Sequence, residues 1–133
     1  MNSILVIGGN SDIGYATAKV FAQNKYNIHL ASRDITNLEI KKKGIEDIYD
    51  VNCKISILDI ENKESVTHFF NEYPVSPNII LIAAGLLETA STTNNQILNV
   101  NYLSPVIFIE RLLIEYQNQK QLNTIIGISS VAG

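Results

Sequence analysis

Between residues 3 and 14 the chain reads S-I-L-V-I-G-G-N-S-D-I-G, a run whose glycines and polar residues suit the holding of a phosphate. Gly8 and Gly14 bracket a polar turn of Asn10, Ser11 and Asp12, after which Ile13, Ala16, Thr17, Val20 and Phe21 recur at helical spacing. A helix that starts there offers unpaired backbone N–H groups and a positive dipole end, and glycines lack the Cβ that would hold a pyrophosphate or a strand away. A dinucleotide is therefore the ligand this turn suggests, with a ligand-free Gly-rich turn as the alternative. Asp12 puts a carboxylate beside the expected phosphate, so it is expected to turn away and cap N–H groups of the helix's first turn. A second polar group, Ser32-Arg33-Asp34, follows another apolar run. An acidic side chain at such a strand tip would bond the ribose 2′-hydroxyl of NAD, whereas an arginine pairs with the 2′-phosphate of NADP. Ser32 at the tip and Arg33 after it favour NADP. NAD stays open, because Asp34 can reach the ribose and leave Arg33 an ordinary surface residue.

These residues need a scaffold, and the rest of the pattern supplies one. The continuous apolar run Ile4 to Ile7 predicts a strand buried on both faces. Asn27 to Ala31 reads as a second strand, Ile35 to Lys43 as a short helix closed by Gly44, and Asp50 to Leu58 as a third strand. Val66, Phe69, Phe70 and Tyr73 form one apolar face of a helix over Asn62 to Tyr73, ended by Pro74 and Pro77. A buried strand at Ile79 to Ala84 follows. Thr93 and Gln96 make a capping-box pair that opens a long helix to Tyr116, and Thr124 to Ile128 is the last strand. Strands alternating with helices imply right-handed crossovers, hence an α/β fold: a three-layer, Rossmann-type doubly wound parallel sheet of order 3-2-1-4-5. Ligands of such sheets bind at the carboxyl ends of the strands.

The 133 residues fit one domain, long enough to bury about two-thirds of the unfolded surface. A net charge of −3, with basic residues scattered apart from Lys41 to Lys43, leaves no footprint for nucleic acid. That lysine trio is expected to be a solvated helix end. The single Cys53 rules out an intrachain disulfide and suits a reducing cytoplasm, where it is expected to be buried and inert. No uncharged stretch approaches the roughly 18 apolar residues of a membrane span.

Read as G-x-x-x-G-x-G, Gly8 to Gly14 resembles the T-G-x-x-x-G-I-G turn of the short-chain dehydrogenases/reductases, with Ile7 in place of the Thr and Asp12 in place of a glycine. The wording Ala31-Ser32-Arg33 resembles NADP-preferring members. Leu58-Asp59-Ile60 resembles the family's D-[VL] element, in which the Asp lies near the adenine and the next residue lines its pocket; by residue type alone Asp59 is a helix-capping residue. Ile82-Ala83-Ala84-Gly85 stands where the family has N-A-A-G, whose small residues let the backbone approach the cofactor. Ile82, in the place of the Asn, is expected to pack apolarly. In Asn99-Val100-Asn101, Asn101 falls at the family's catalytic-site asparagine, which holds a water of a proton relay. A structural hydrogen bond at a kink made by Pro105 is its alternative role. Ile128 to Gly133 resembles the I-S-S-x-x-G segment, which makes Ser130 the candidate donor to a substrate carbonyl.

The resemblance thus implies an NAD(P)H-dependent oxidoreductase that reduces a small-molecule carbonyl to an alcohol. Gly8, Asn10, Ser11, Asp12, Ile13, Gly14, Ser32, Arg33, Asp59, Ile60, Ala83, Ala84 and Gly85 would face NADP or NAD, and Asn101 and Ser130 the substrate. G-G-N-S-D-I-G, A-S-R-D, A-A-G-L-L-E and G-I-S-S-V-A-G together are similar to bacterial reductases near the decaprenylphosphoryl 2-keto-sugar reductases of cell-envelope polysaccharide synthesis. In that family a Y-x-x-x-K pair beyond the serine supplies the proton donor, and those positions lie outside the 133 residues. Residues 1–133 are therefore expected to be the N-terminal part of a longer domain and inactive by themselves as a reductase; a nucleotide-binding or regulatory module without catalysis is the second reading. The strongly apolar helix from 93 to 116 is expected to carry a homo-oligomer contact.

Overall fold

Strand β1 (Ser3–Ile7) is the centre of the molecule, and its alternation explains why every residue from Ile4 to Ile7 is apolar. Ile4 and Val6 point into one core and Leu5 and Ile7 into another, all four at most 1 % exposed. Burial of side chains this size stabilises by about 1.5–3 kcal/mol each.

The computed structural model describes residues 1–83 and 104–128. In chain order, β1 is followed by α1 (Asp12–Gln23), β2 (Asn27–Ser32), α2 (Ile35–Tyr49), β3 (Cys53–Ile57), α3 (Lys63–Glu72), β4 (Ile79–Ile82), α4 (Ser104–Tyr116) and β5 (Thr124–Gly127). All four strand pairings are parallel, in the order β3-β2-β1-β4-β5. This is the doubly wound α/β sheet that the sequence predicts. The core between the sheet and α1 and α2 holds Ile4, Val6, Ile28 and Leu30 with Leu38 and Ile45 of α2; the core between the sheet and α3 and α4 holds Leu5 and Ile7 with Phe69 and Phe70 of α3 and Phe108 and Leu112 of α4. Ile82 is in the second core at 3 % exposure, packed apolarly as expected.

Two helices differ from their sequence patterns. On α1 the side against the sheet is Gly14, Ala18 and Ala22, whereas Ile13 and Val20 are each 57 % exposed. The expected stripe of large residues was wrong by about one position, because α1 packs so closely that only small side chains fit beneath it. Helix α2 runs through Gly44 to Tyr49 instead of ending at Lys43. Ile45, fully buried beside Leu38, draws the extra turn inward, and Asp50 in the left-handed conformation (φ 53°) closes the helix. Gly44 lies where α1 and α2 meet: a Cβ there would come 3.1 Å from the Tyr15 hydroxyl.

Helix α3 fits its prediction, with Asn62 as N-cap accepting from the N–H groups of Glu64 and Ser65. Cys53 is buried in β3, and burial pushes its thiol up to about 12, so it stays protonated. Helix α4 turns Phe108, Leu112 and Tyr116 inward and leaves Val106, Ile107, Leu113 and Ile114 exposed. The Thr93–Gln96 capping pair lies outside the described residues. Among those described, no helix is long and apolar enough to cross a membrane.

Candidate functional site

The rim formed by the carboxyl ends of β1, β2 and β3 gathers most of the residues singled out above. The chain leaves β1 at Gly8, whose φ of 86° is a left-handed conformation that side chains disfavour. The N–H groups of Gly8 and Gly9 both donate to the carbonyl of Ala31, at 2.8 and 3.1 Å, which fastens the turn to β2. The Ser11 N–H donates back to the Gly8 carbonyl at 2.9 Å.

Ser11 is the N-cap of α1: its backbone is extended and its Oγ accepts from the Gly14 N–H at 2.9 Å. This corrects the expectation that Asp12 would cap. The residue before the first helical one has the reach to bond the third N–H of the helix, and that residue is Ser11. Asp12 opens the helix itself, exposed, where its charge complements the dipole. The N–H groups of Asp12 and Ile13 have no hydrogen-bond partner among the described residues, so two donors at a helix start remain for an anion. Gly14 sits against β1, and a Cβ there would stand 2.5 Å from the Gly8 carbonyl oxygen and 2.8 Å from Ser11 Oγ. Only glycine lets the helix start this close to the strand.

At the tip of β2, Asn10 joins the turn to the next loop. Its Nδ2 donates to Ser32 Oγ at 3.0 Å and to the Asp34 carbonyl at 2.8 Å. Asp34 is the N-cap of α2, its Oδ1 accepting from the Thr36 N–H at 3.0 Å. One carboxylate oxygen is thereby committed to the helix start. Arg33 is exposed and makes no ion pair among the described residues. Lys41 joins this group unannounced by the sequence. Its Nζ donates to the carbonyl and the Oδ1 of Asn10 at 3.1 and 3.2 Å, where a solvated helix end was expected. Two turns of α2 separate it from Asp34, so no local motif signals the contact.

Past β3, Asp59 folds its own loop: its Oδ1 accepts from the Glu61 N–H at 3.0 Å while its N–H donates to Ser65 Oγ at 2.9 Å. The helix cap is Asn62, so Asp59 braces the turn before it. Ile60 is half-buried against the α3 and α4 core. Ala83 extends the β4 pairing, its N–H donating to the Ile7 carbonyl at 2.8 Å. The structure therefore brings Gly8, Asn10, Ser11, Asp12, Ile13, Gly14, Ser32, Arg33, Asp59, Ile60 and Ala83 to one edge of the sheet. Ala84, Gly85, Asn101 and Ser130 lie outside the described residues.

A cleft of about 760 Å³ lies elsewhere, at the amino ends of the strands beside Asn2, Asn27, His29, Lys54 and Tyr73. Its lining has neither a glycine turn nor a helix start, the two features that bind phosphates, so the carboxyl rim is the better nucleotide site. The rim also passes a test of fit: Gly14 lets α1 start against β1, and the two open N–H donors of that start offer partners to a pyrophosphate.

Comparison with known proteins agrees with this geometry. Residues 2–133 match the family described as short chain dehydrogenase. An uncharacterized oxidoreductase of Staphylococcus saprophyticus is 27 % identical over 97 % of this chain and 58 % of its own length. Among solved structures, a bulky-bulky ketone specific alcohol dehydrogenase from Comamonas testosteroni superposes with a TM-score of 0.82 at 17 % identity, over 98 % of this chain and 55 % of that one. A short-chain dehydrogenase from Sphingobium yanoikuyae, in complex with NADPH, gives 0.81 at 18 % identity, over 98 % and 54 %. The chain thus spans little more than half the length of these relatives. By its matched family model, its strand order and its glycine turn, the chain belongs to the short chain dehydrogenase family.

Proposed function

We propose that this chain carries the dinucleotide-binding part of an NAD(P)H-dependent oxidoreductase that reduces a carbonyl to an alcohol, with NADPH favoured. The observation that carries this reading is the cradle from Gly8 to Gly14, in which Gly14, without a Cβ, lets the helix start against β1 while the N–H groups of Asp12 and Ile13 stand open. When bound, the nicotinamide supplies the hydride. The chain's own part is to bind and orient: Asp12 and Ile13 N–H groups take the pyrophosphate, Asp59 and Ile60 flank the adenine, and Ala83, Ala84 and Gly85 admit the nicotinamide end. Ser130 donates a hydrogen bond to the carbonyl oxygen of the substrate and Asn101 holds a water of the proton path.

The preference for NADPH rests on the tip of β2. Asp34 is engaged as a helix cap, which weakens its claim on the ribose, and Arg33 is exposed without an ion-pair partner among the described residues. The NADPH complex of the Sphingobium relative is in keeping with this choice. The substrate is a keto-sugar or a similar polar ketone, acted on in the cytoplasm by a homo-oligomer joined through the 93–116 helix. The exposed Val106, Ile107, Leu113 and Ile114 support that contact, since monomers rarely leave such a strip to water.

The test is calorimetric titration of the full-length protein with NADPH and NADH, followed by NADPH oxidation against a panel of keto-sugars and diketones. Tighter binding of NADPH and turnover of at least one ketone are the expected results. Absence of binding by either nucleotide would end the proposal.

A further inference from the structure

Lys41 was expected to be one of three solvated lysines, yet it alone is turned back onto the phosphate turn. Its ammonium donates to both oxygens of Asn10, at 3.1 and 3.2 Å, and lies 5.4 Å from the centroid of the Tyr15 ring. Lys19 approaches the same ring at 4.7 Å. Ordering a lysine costs up to about 2 kcal/mol of rotamer freedom, so a fixed one beside a binding loop calls for an explanation.

Asn10 supplies the link. Both hydrogens of its amide go to the β2 tip, one to Ser32 Oγ and one to the Asp34 carbonyl, which leaves its Oδ1 to face Lys41. A single side chain thus ties the ammonium to the loop that carries Arg33. With both its contacts on Asn10, Lys41 keeps one of its three donors for a further acceptor. The loop that carries exposed Arg33 thus has a second cation tied to it through Asn10.

Resting on the cofactor reading above, we propose that Lys41 is a specificity-determining residue: its fixed ammonium supplies the second positive charge for a ribose 2′-phosphate and, through Asn10, holds the Ser32–Asp34 loop ready for it. The ligand class is an adenosine nucleotide phosphorylated on the ribose. A positive charge fixed before binding adds to affinity without the ordering cost that Arg33 pays on binding.

The experiment compares the full-length protein with Lys41→Met, which keeps the stem, and Lys41→Arg, which keeps the charge. Each is titrated with 2′,5′-ADP, 5′-AMP, NADPH and NADH, at low and moderate salt, after circular dichroism has verified the fold. The expected result for Lys41→Met is about a tenfold loss for 2′,5′-ADP and NADPH, no change for 5′-AMP and NADH, and a weaker salt dependence. Lys41→Arg should retain most of the affinity. Equal losses for phosphorylated and unphosphorylated nucleotides would reduce Lys41 to a brace for the turn and overturn the proposal, as would no loss at all. Native protein that binds NADH but not 2′,5′-ADP would overturn it together with the NADPH preference while sparing the dinucleotide reading, and native protein that binds no nucleotide would remove all three.

Discussion

His29 offers a perturbation whose size can be worked from its surroundings. It lies on β2 facing α3, with Nε2 2.8 Å from Ser56 Oγ, its ring stacked 5.6 Å from Phe69 and edge-on to Tyr73 at 4.5 Å. Burial, and secondarily the charge of Lys54, lower its pKa from 6.5 to about 4. In the unfolded chain the imidazole takes a proton near pH 6.5, whereas the folded chain resists until about pH 4. The unfolded state therefore binds more protons in that window, and stability falls with pH there. The contribution is complete above pH 6.5 and gone below about pH 4. At about 1.4 kcal/mol per pKa unit, the gap amounts to about 3 kcal/mol. Urea unfolding of the native protein and of His29→Gln, from neutral pH down to pH 4, isolates this share from the carboxylates that titrate in both. The native protein should lose about 3 kcal/mol more than the variant. Lys54→Gln should recover the smaller part of the shift. Parallel stability profiles for native protein and His29→Gln would show that the folded imidazole is freely protonated, and the argument from burial would fail.

Three further outcomes are expected. Gly14→Ala places a methyl 2.5 Å from the Gly8 carbonyl oxygen, so α1 must move off β1; melting temperature should drop and nucleotide affinity fall at least tenfold, both read on the same sample. Arg33→Ala should weaken NADPH by about 1.5–3 kcal/mol and spare NADH, and equal losses in calorimetry would deny Arg33 its role. Ile107→Glu and Ile114→Glu charge residues that are 60 % and 63 % exposed on α4; sedimentation velocity should show the proposed oligomer dissociating while the far-ultraviolet spectrum is kept.

The strand order and the rim at the carboxyl ends were legible because they rest on periodicity and on turn glycines, which are local signals. Ile4 to Ile7 could hardly be anything but a central strand. Closeness of packing was less legible. Gly14, Ala18 and Ala22 form the buried side of α1, yet small residues score weakly as apolar, so Ile13 and Val20 drew attention that their exposure does not support. Gly44 looked like a helix stop because its partner, the Tyr15 hydroxyl, is distant in sequence. The swap between Ser11 and Asp12 is finer still: both residue types cap helices, and only the backbone decides which one stands before the first turn. Lys41 was invisible for the same reason as Gly44, since its contact with Asn10 crosses 31 positions of the chain.

The claim on which the rest depends is that a nucleotide's pyrophosphate sits on the start of α1, and amide chemical shifts of the labelled protein during NADPH titration test it directly. The N–H signals of Asp12, Ile13 and Gly14 should shift most and saturate with the calorimetric affinity, while those of Asn52, Asn78 and Asn123 at the opposite end of the sheet stay still. Shifts concentrated at that opposite end, or saturation without movement at Asp12 and Ile13, would contradict the account.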